Sequence, residues 1–204
     1  MSFVYKPPTE WIPPDSFPTE KLCQAKEIAI DLETRDPNLK ELGPGYIRGD
    51  GEVVGISFAI DGYEDYFPFA HEQGFNFSKK KVIEFTKKIC ATESDKIFHN
   101  STYDIGWLVK EGVTINGRII DTMVVAPLID ENQYWYSLNA LGREYINEGK
   151  TEAELNAAAE EWGLDPKAEM WRLPSAYVGT YATQDAALTL KLWNHFKILL
   201  EEQN

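Results

Sequence analysis

Two acids two residues apart close the run AIDLET at residues 29 to 34, Asp31 and Glu33. Side chains alternate faces along a strand, so Ile28, Ile30 and Leu32 point one way and Ala29, Asp31 and Glu33 the other. A strand end running into solvent would show the same pattern. A second acid lies on a helical stripe, because Tyr181, Asp185, Leu188, Leu192, Phe196 and Leu199 recur at the spacing of one buried face. A carboxylate there needs a cation, a hydrogen-bonding partner or a raised pKa. An Arg or Lys at the margin of the face would answer that need as well as a metal would. In NSTYDIGWL, Asn100 and Asp104 stand one turn apart on the face continued by Trp107 and Leu108. Asn100 also stands where a helix cap belongs.

Three separate elements thus each aim carboxylates inward. Asp31, Glu33, Asp104 and Asp185 would repel one another unless divalent cations sat among them, and all-oxygen ligation selects hard ions, Mg²⁺ or Mn²⁺. A pair of such ions suits phosphoryl displacement, one activating water and both stabilising the charge that develops. The histidines offer no competing site: His71, His99 and His195 lack ligand-like spacing, and neither H-E-x-x-H nor an EF-hand loop is present.

The elements that must position these acids follow from periodicity. Residues 1–25 are rich in proline and are expected to form an extended arm packed by Trp11 and Phe17, with the ordered domain spanning residues 26–204. KEIAIDLET reads as a strand, and EVVGISFAIDGYEDYFPFA as two more joined by a hairpin at Asp61-Gly62, a three-strand meander. SKKKVIEFTKKICA is a helix with Ser78 as the candidate N-cap; its lysines, Lys79 to Lys81, Lys87 and Lys88, read as a solvated face, with contact to phosphates as the alternative. KIFH is a fourth strand, parallel to the first because a helix crosses over before it, and NSTYDIGWLVKEG is a helix stopped by Gly112. RIIDTMVVAPLIDE gives a short strand and a helix capped by Asp121. SLNALGREYINEG and the acidic TEAELNAAAEEWG are helices, and the run from Pro174 to Gln203 is one long helix despite Gly179. The fold class is α/β, a mixed sheet flanked by helices.

Composition bounds the chemistry. With 204 residues and 43% apolar content the chain buries a full core as one domain. A balance of 20 basic against 33 acidic residues, net −13, opposes sequence-independent adhesion to nucleic acid or an anionic membrane. A polyanionic substrate therefore requires local compensation by metal ions or a small basic surface. Cys23 and Cys90 suggest neither a disulfide framework nor a cysteine zinc site, and no apolar run approaches the roughly 20 residues of a membrane span. The expectation is a soluble cytoplasmic protein.

DLET, FHNSTYD and YATQD resemble the three motifs of the ribonuclease H-like DEDDy 3′→5′ exonucleases, in the right order. GEVVGISFAIDG, RIIDTM and YVGTYATQDAALTLKLW further resemble the N-terminal proofreading domain of phage-type family A DNA polymerases, over about residues 26 to 200. The resemblance implies a ribonuclease H-like fold, two Mg²⁺ or Mn²⁺ ions, and release of 5′-mononucleotides from single-stranded or mismatched DNA 3′ ends in the host cytoplasm. By it, Asp31, Glu33 and Asp185 hold the catalytic metal, Asp31 bridges to the second, Asp104 acts largely through water, and Tyr181 orients the attacking water. Asn100 and Tyr103 match positions that contact the terminal nucleotides, and Thr34 meets the 3′ hydroxyl through its backbone. The chain ends at KILLEEQN, about where such polymerases begin their polymerase domain, which implies an excised domain or a separate exonuclease polypeptide partnered with a polymerase. An RNA-trimming enzyme of the ribonuclease D type and a catalytically silent binding module are the alternatives.

Overall fold

The alternating strands assemble into one five-stranded sheet in the computed structural model, which describes residues 9–203. The strands are β1 (Glu27–Arg35), β2 (Glu52–Ile60), β3 (Tyr63–Pro68), β4 (Asp95–Phe98) and β5 (Ile119–Asp121), in the spatial order β3-β2-β1-β4-β5. β1, β2 and β3 run antiparallel as a meander, while β4 lies parallel to β1 and β5 parallel to β4. Gly62 sits in the expected hairpin with φ of 69°, a conformation that favours glycine.

Nine helices complete the described residues: α1 (Thr19–Gln24), α2 (Leu39–Leu42), α3 (Gly45–Arg48), α4 (Lys79–Cys90), α5 (Ser101–Lys110), α6 (Thr122–Ile129), α7 (Leu138–Ile146), α8 (Ala153–Trp162) and α9 (Ser175–Glu202), with a 3₁₀ turn at Met170–Arg172. The alternation along β1 sorts its residues between two layers. Ile28, Ile30 and Leu32 enter a core with Phe58, Phe67, Phe85 and Trp107, beneath α4 and α5. Ala29 faces the other way, into a core with Leu188, Leu192 and Phe196 of α9. Asp31 and Glu33 share the face of Ala29, so the strand turns its acids toward α9.

The N-terminal arm departs from the sequence expectation, and the β1–β2 connection adds to it. Residues 1–8 of the proline-rich arm lie outside the described residues, and the remainder is not extended throughout to residue 25. Phe17 does pack, its ring centroid 5.0 Å from that of Phe85, but Thr19–Gln24 then form α1, with Leu22 fully buried in the core. An apolar side chain with a core to enter fixes this short helix, which its own propensity would not sustain. The β1–β2 connection also folds into α2 and α3, with Asp36 accepting from Gly45 N at 2.9 Å and pairing with Arg48 at 3.4 Å.

Gly179 in the middle of α9 is explained by the arm. The Trp11 ring lies on the helix at this position, and a methyl group there would overlap it. The glycine costs about 1 kcal/mol of helix propensity and in exchange lets the indole pack onto the helix backbone.

Candidate active site

The strand and the long helix converge as their faces require. Asp31 and Glu33 of β1 and Asp185 of α9 each present a carboxylate oxygen within 4.8 Å of the others. Asp31 pairs in register with Ser57 and Glu33 with Gly55, and a bulge between Glu33 and Thr34 ends the regular ladder beside the acids. Asp104 of α5 lies outside this trio. Its carboxyl is buried, and of the neighbouring charges Asp31 acts on it most strongly, ahead of Glu33. The structure thus brings Asp31, Glu33 and Asp185 together and buries Asp104 apart from them.

Gathering these groups shifts their titration. Burial, then the charge of Asp185, pushes Asp31 up to about 7 from an ordinary 3.8, with Lys150 opposing. Burial first, and then the neighbouring carboxylates, hold Glu33 and Asp104 well above the usual range, and burial raises Asp185 as well. Tyr181 is raised far above 10 by burial and by Asp185, so it remains a phenol at neutral pH. It can guide a hydrogen bond and cannot act as a base.

The residue that sequence reasoning missed is Lys150. Its Nζ donates to Asp185 Oδ2 at 2.5 Å and to the Tyr181 hydroxyl at 3.2 Å. A Lys or Arg partner for Asp185 was one expectation and metal ligation the other, and both find support at this carboxyl. Oδ2 is taken by the lysine, while Oδ1 is buried without a hydrogen-bond partner among the described residues. An orphaned carboxylate oxygen beside two further acids fits a hard divalent cation, and Asp31, Glu33 and Asp185 would hold it.

On the opposite flank, Thr34 Oγ1 lies 2.8 Å from the Tyr103 hydroxyl, which donates to Asp36 Oδ2 at 3.1 Å. This chain ties the end of β1 to α5 and to the β1–β2 connection. Tyr103, Asn100, Tyr46, Leu39 and Pro44 line a cleft here. Asn100 is exposed and sits in the left-handed region with φ of 71°, its side chain making no cap. Asp121 does the capping instead, accepting from Asn100 N at 3.0 Å and Ser101 N at 2.7 Å.

Behind Glu33 stands a further buried arrangement that no spacing announced. Gly55, opposite Glu33, has no side chain, and the Tyr66 phenol crosses the space a methyl would fill. His71 Nδ1 is 3.0 Å from the Leu173 carbonyl, which can only accept, so Nδ1 carries the proton and Nε2 accepts from the Tyr66 hydroxyl at 2.8 Å. Burial pushes His71 down to about 4 and keeps it neutral. His99 is likewise structural, its Nδ1 2.8 Å from Thr122 Oγ1.

Known proteins share both the sequence and the fold. The chain is 36% identical over its whole length to a DNA-directed DNA polymerase of Pseudomonas phage M6 and 28% identical over 85% of its length to DNA polymerase DpoZ of Salmonella phage PMBT28. It spans only 32% and 26% of those relatives. Among solved structures it is similar in fold to Brucella melitensis NrnC with bound Mg²⁺, with a TM-score of 0.61 at 19% identity, covering 91% of this chain and 79% of that one. It is similar also to the catalytic core of RRP6 from Trypanosoma brucei, with a TM-score of 0.65 at 18% identity, covering 91% and 44%. The mixed five-stranded sheet with its flanking helices is the ribonuclease H-like fold that these neighbours share. A profile of the DNA polymerase A type described as 3′-5′ exonuclease matches residues 18–201, and the chain belongs to that family.

Proposed function

We propose that this chain removes nucleotides one at a time from single-stranded or mismatched DNA 3′ ends, releasing 5′-mononucleotides, as the proofreading part of a phage replication apparatus in the host cytoplasm. The observation that carries the reading is the meeting of Asp31, Glu33 and Asp185 within 4.8 Å, with Tyr181 one helical turn from Asp185. Two Mg²⁺ or Mn²⁺ ions, when bound, supply activation of the attacking water and neutralise charge on the phosphate being displaced. Asp31, Glu33 and Asp185 would hold one ion, and Asp31 and Asp104 would help to hold a second. Tyr181, kept protonated by burial, aims the nucleophile through its hydroxyl. Asn100 and Tyr103 at the cleft, with Thr34 bonded to the Tyr103 hydroxyl beside it, receive the terminal nucleotides; Tyr103 offers a ring for stacking and Asn100 a side-chain amide that makes no cap. The phage polymerase relatives, far longer than this chain, support a polymerase as the working partner. No helix among the described residues is long and apolar enough to cross a membrane.

The test is digestion of 3′-labelled and 3′-blocked single-stranded DNA in Mn²⁺. Asp31→Ala and Asp185→Ala should each lose activity at least ~10³-fold, since each strips a metal ligand and the metal's share of catalysis goes with it. Tyr181→Phe should lose about 10–100-fold, the cost of a misaligned nucleophile. Activity that survives excess chelator, or a blocked 3′ end digested as fast as a free one, would overturn the reading. Faster turnover of the matched RNA strand would move the substrate to RNA.

A further inference from the structure

We infer that Lys150 is a resident counter-cation of the carboxylate site, an ammonium that holds Asp185 until a divalent metal ion takes its place. The inference rests on the metal-dependent reading above and concerns what fills the site before the metal does.

The geometry around the ammonium is specific. Nζ makes an ion pair with Asp185 Oδ2 at 2.5 Å, reaches the Tyr181 hydroxyl at 3.2 Å and lies 5.0 Å from the centre of the Tyr181 ring. It therefore engages one ligand of the metal trio and the residue that guides the water. Asp31 and Glu33 act on the same charge, so the anions facing Lys150 are the three that would bind the ion. Only 15% of its side chain is exposed, which leaves little water to replace them. It satisfies one oxygen of Asp185 and leaves Oδ1 without a hydrogen-bond partner among the described residues.

The backbone that delivers Lys150 is fixed while its tip is not. Lys150 N donates to Asn139 Oδ1 at 2.9 Å on α7, Thr151 N donates to Gln184 Oε1 at 2.7 Å, and Gln184 Nε2 donates to Gly149 O at 3.1 Å. The first bond ties the loop between α7 and α8 back to α7, and the other two strap it to α9, the helix that carries Asp185. The four-carbon stem beyond the strap can swing without unfolding the loop. An ammonium and a divalent ion on one carboxylate repel each other, so they exchange rather than coexist. Whatever stability the ion pair gives the metal-free fold is then subtracted from metal affinity by linkage. The lysine keeps an otherwise self-repelling site assembled and sets the metal concentration at which the site fills.

The experiment uses the full chain as wild type, Lys150→Met and Lys150→Arg. Melting is followed in chelator and in saturating Mn²⁺, and Mn²⁺ binding by titration calorimetry. Lys150→Met should melt lower than wild type in chelator, recover most of the gap in Mn²⁺, and bind Mn²⁺ about 10-fold more tightly, about 1.4 kcal/mol. Lys150→Arg keeps the charge and should stay within about 3-fold of wild type. A second measurement needs no variant: Lys150 of the wild type should be protected from acetic anhydride in chelator and acetylated in Mn²⁺, read by peptide mass spectrometry. Equal loss of melting temperature in both media with unchanged or weaker Mn²⁺ binding, or unchanged protection of Lys150, would make it a fixed strut and overturn the inference. A wild type that binds Mn²⁺ and cleaves DNA while Lys150→Met binds no more tightly sinks the exchange alone. A wild type that neither binds nor cleaves sinks the nuclease reading itself.

Discussion

Without metal, Asp31 should make the protein lose stability as the pH rises, the reverse of what an ion-paired surface carboxylate does. Its folded pKa is pushed up to about 7 against an ordinary 3.8. Between those values the native state binds a proton that the unfolded chain has released, so stability falls with pH until the native carboxyl has ionised as well. Integrating that difference from about pH 5 to about pH 8 gives about 2.5 kcal/mol. Asp31 keeps part of its surface in water, and screening there sets the expected loss at about 1–2.5 kcal/mol.

Burial pushes His71 and His99 down to about 4, so each adds stability as pH rises through the ordinary histidine range, with the opposite sign. Their contributions cancel in the difference between wild type and Asp31→Asn, which is the quantity to measure. Urea denaturation in chelator at about pH 5, 6.5 and 8 should show wild type losing ground to Asp31→Asn by the stated amount. In saturating Mn²⁺ the trend should invert, because the ion binds the ionised form. A difference that stays flat across this range in chelator would mean that Lys150 keeps Asp31 ionised throughout, and the argument from mutual repulsion would fail.

Gly179→Ala should raise stability by about 1 kcal/mol if helix propensity ruled, but overlap with the Trp11 ring should instead lower it by about 1–3 kcal/mol. Thermal melting decides the sign, and Trp11→Ala should restore the alanine's advantage in the double variant. Tyr103→Phe removes the hydroxyl shared by Thr34 and Asp36, which should cost about 1–3 kcal/mol and weaken capture of single-stranded DNA by freeing the β1–β2 connection. Calorimetry and KM check the two halves, and an unchanged KM would mean the latch does not shape the cleft.

The inward acids were legible because local periodicity carries them. A period of two assigns Asp31 and Glu33 to the face of Ala29, and a helical period assigns Asp185 to the stripe of Leu188 and Leu192, as the two cores confirm. Asp121 and Gly62 were legible for the same reason, since caps and tight turns are chosen by neighbours in the chain. What escaped lies in irregular segments or depends on distant partners. Lys150 meets Asp185 across 35 positions, and His71 meets Leu173 across 102. Neither residue sits on a face that a repeat defines, so its destination depends on where the loop is strapped. Leu22 turned part of the arm into a helix for a related reason, because a core assembled from far along the chain offered it a place. The sequence by itself determined which side chains point inward, since alternation is a property of the backbone. Only the tertiary structure decided which charge stands against them, since a lysine on a loop carries no period and finds its partner through the field of the assembled carboxylates.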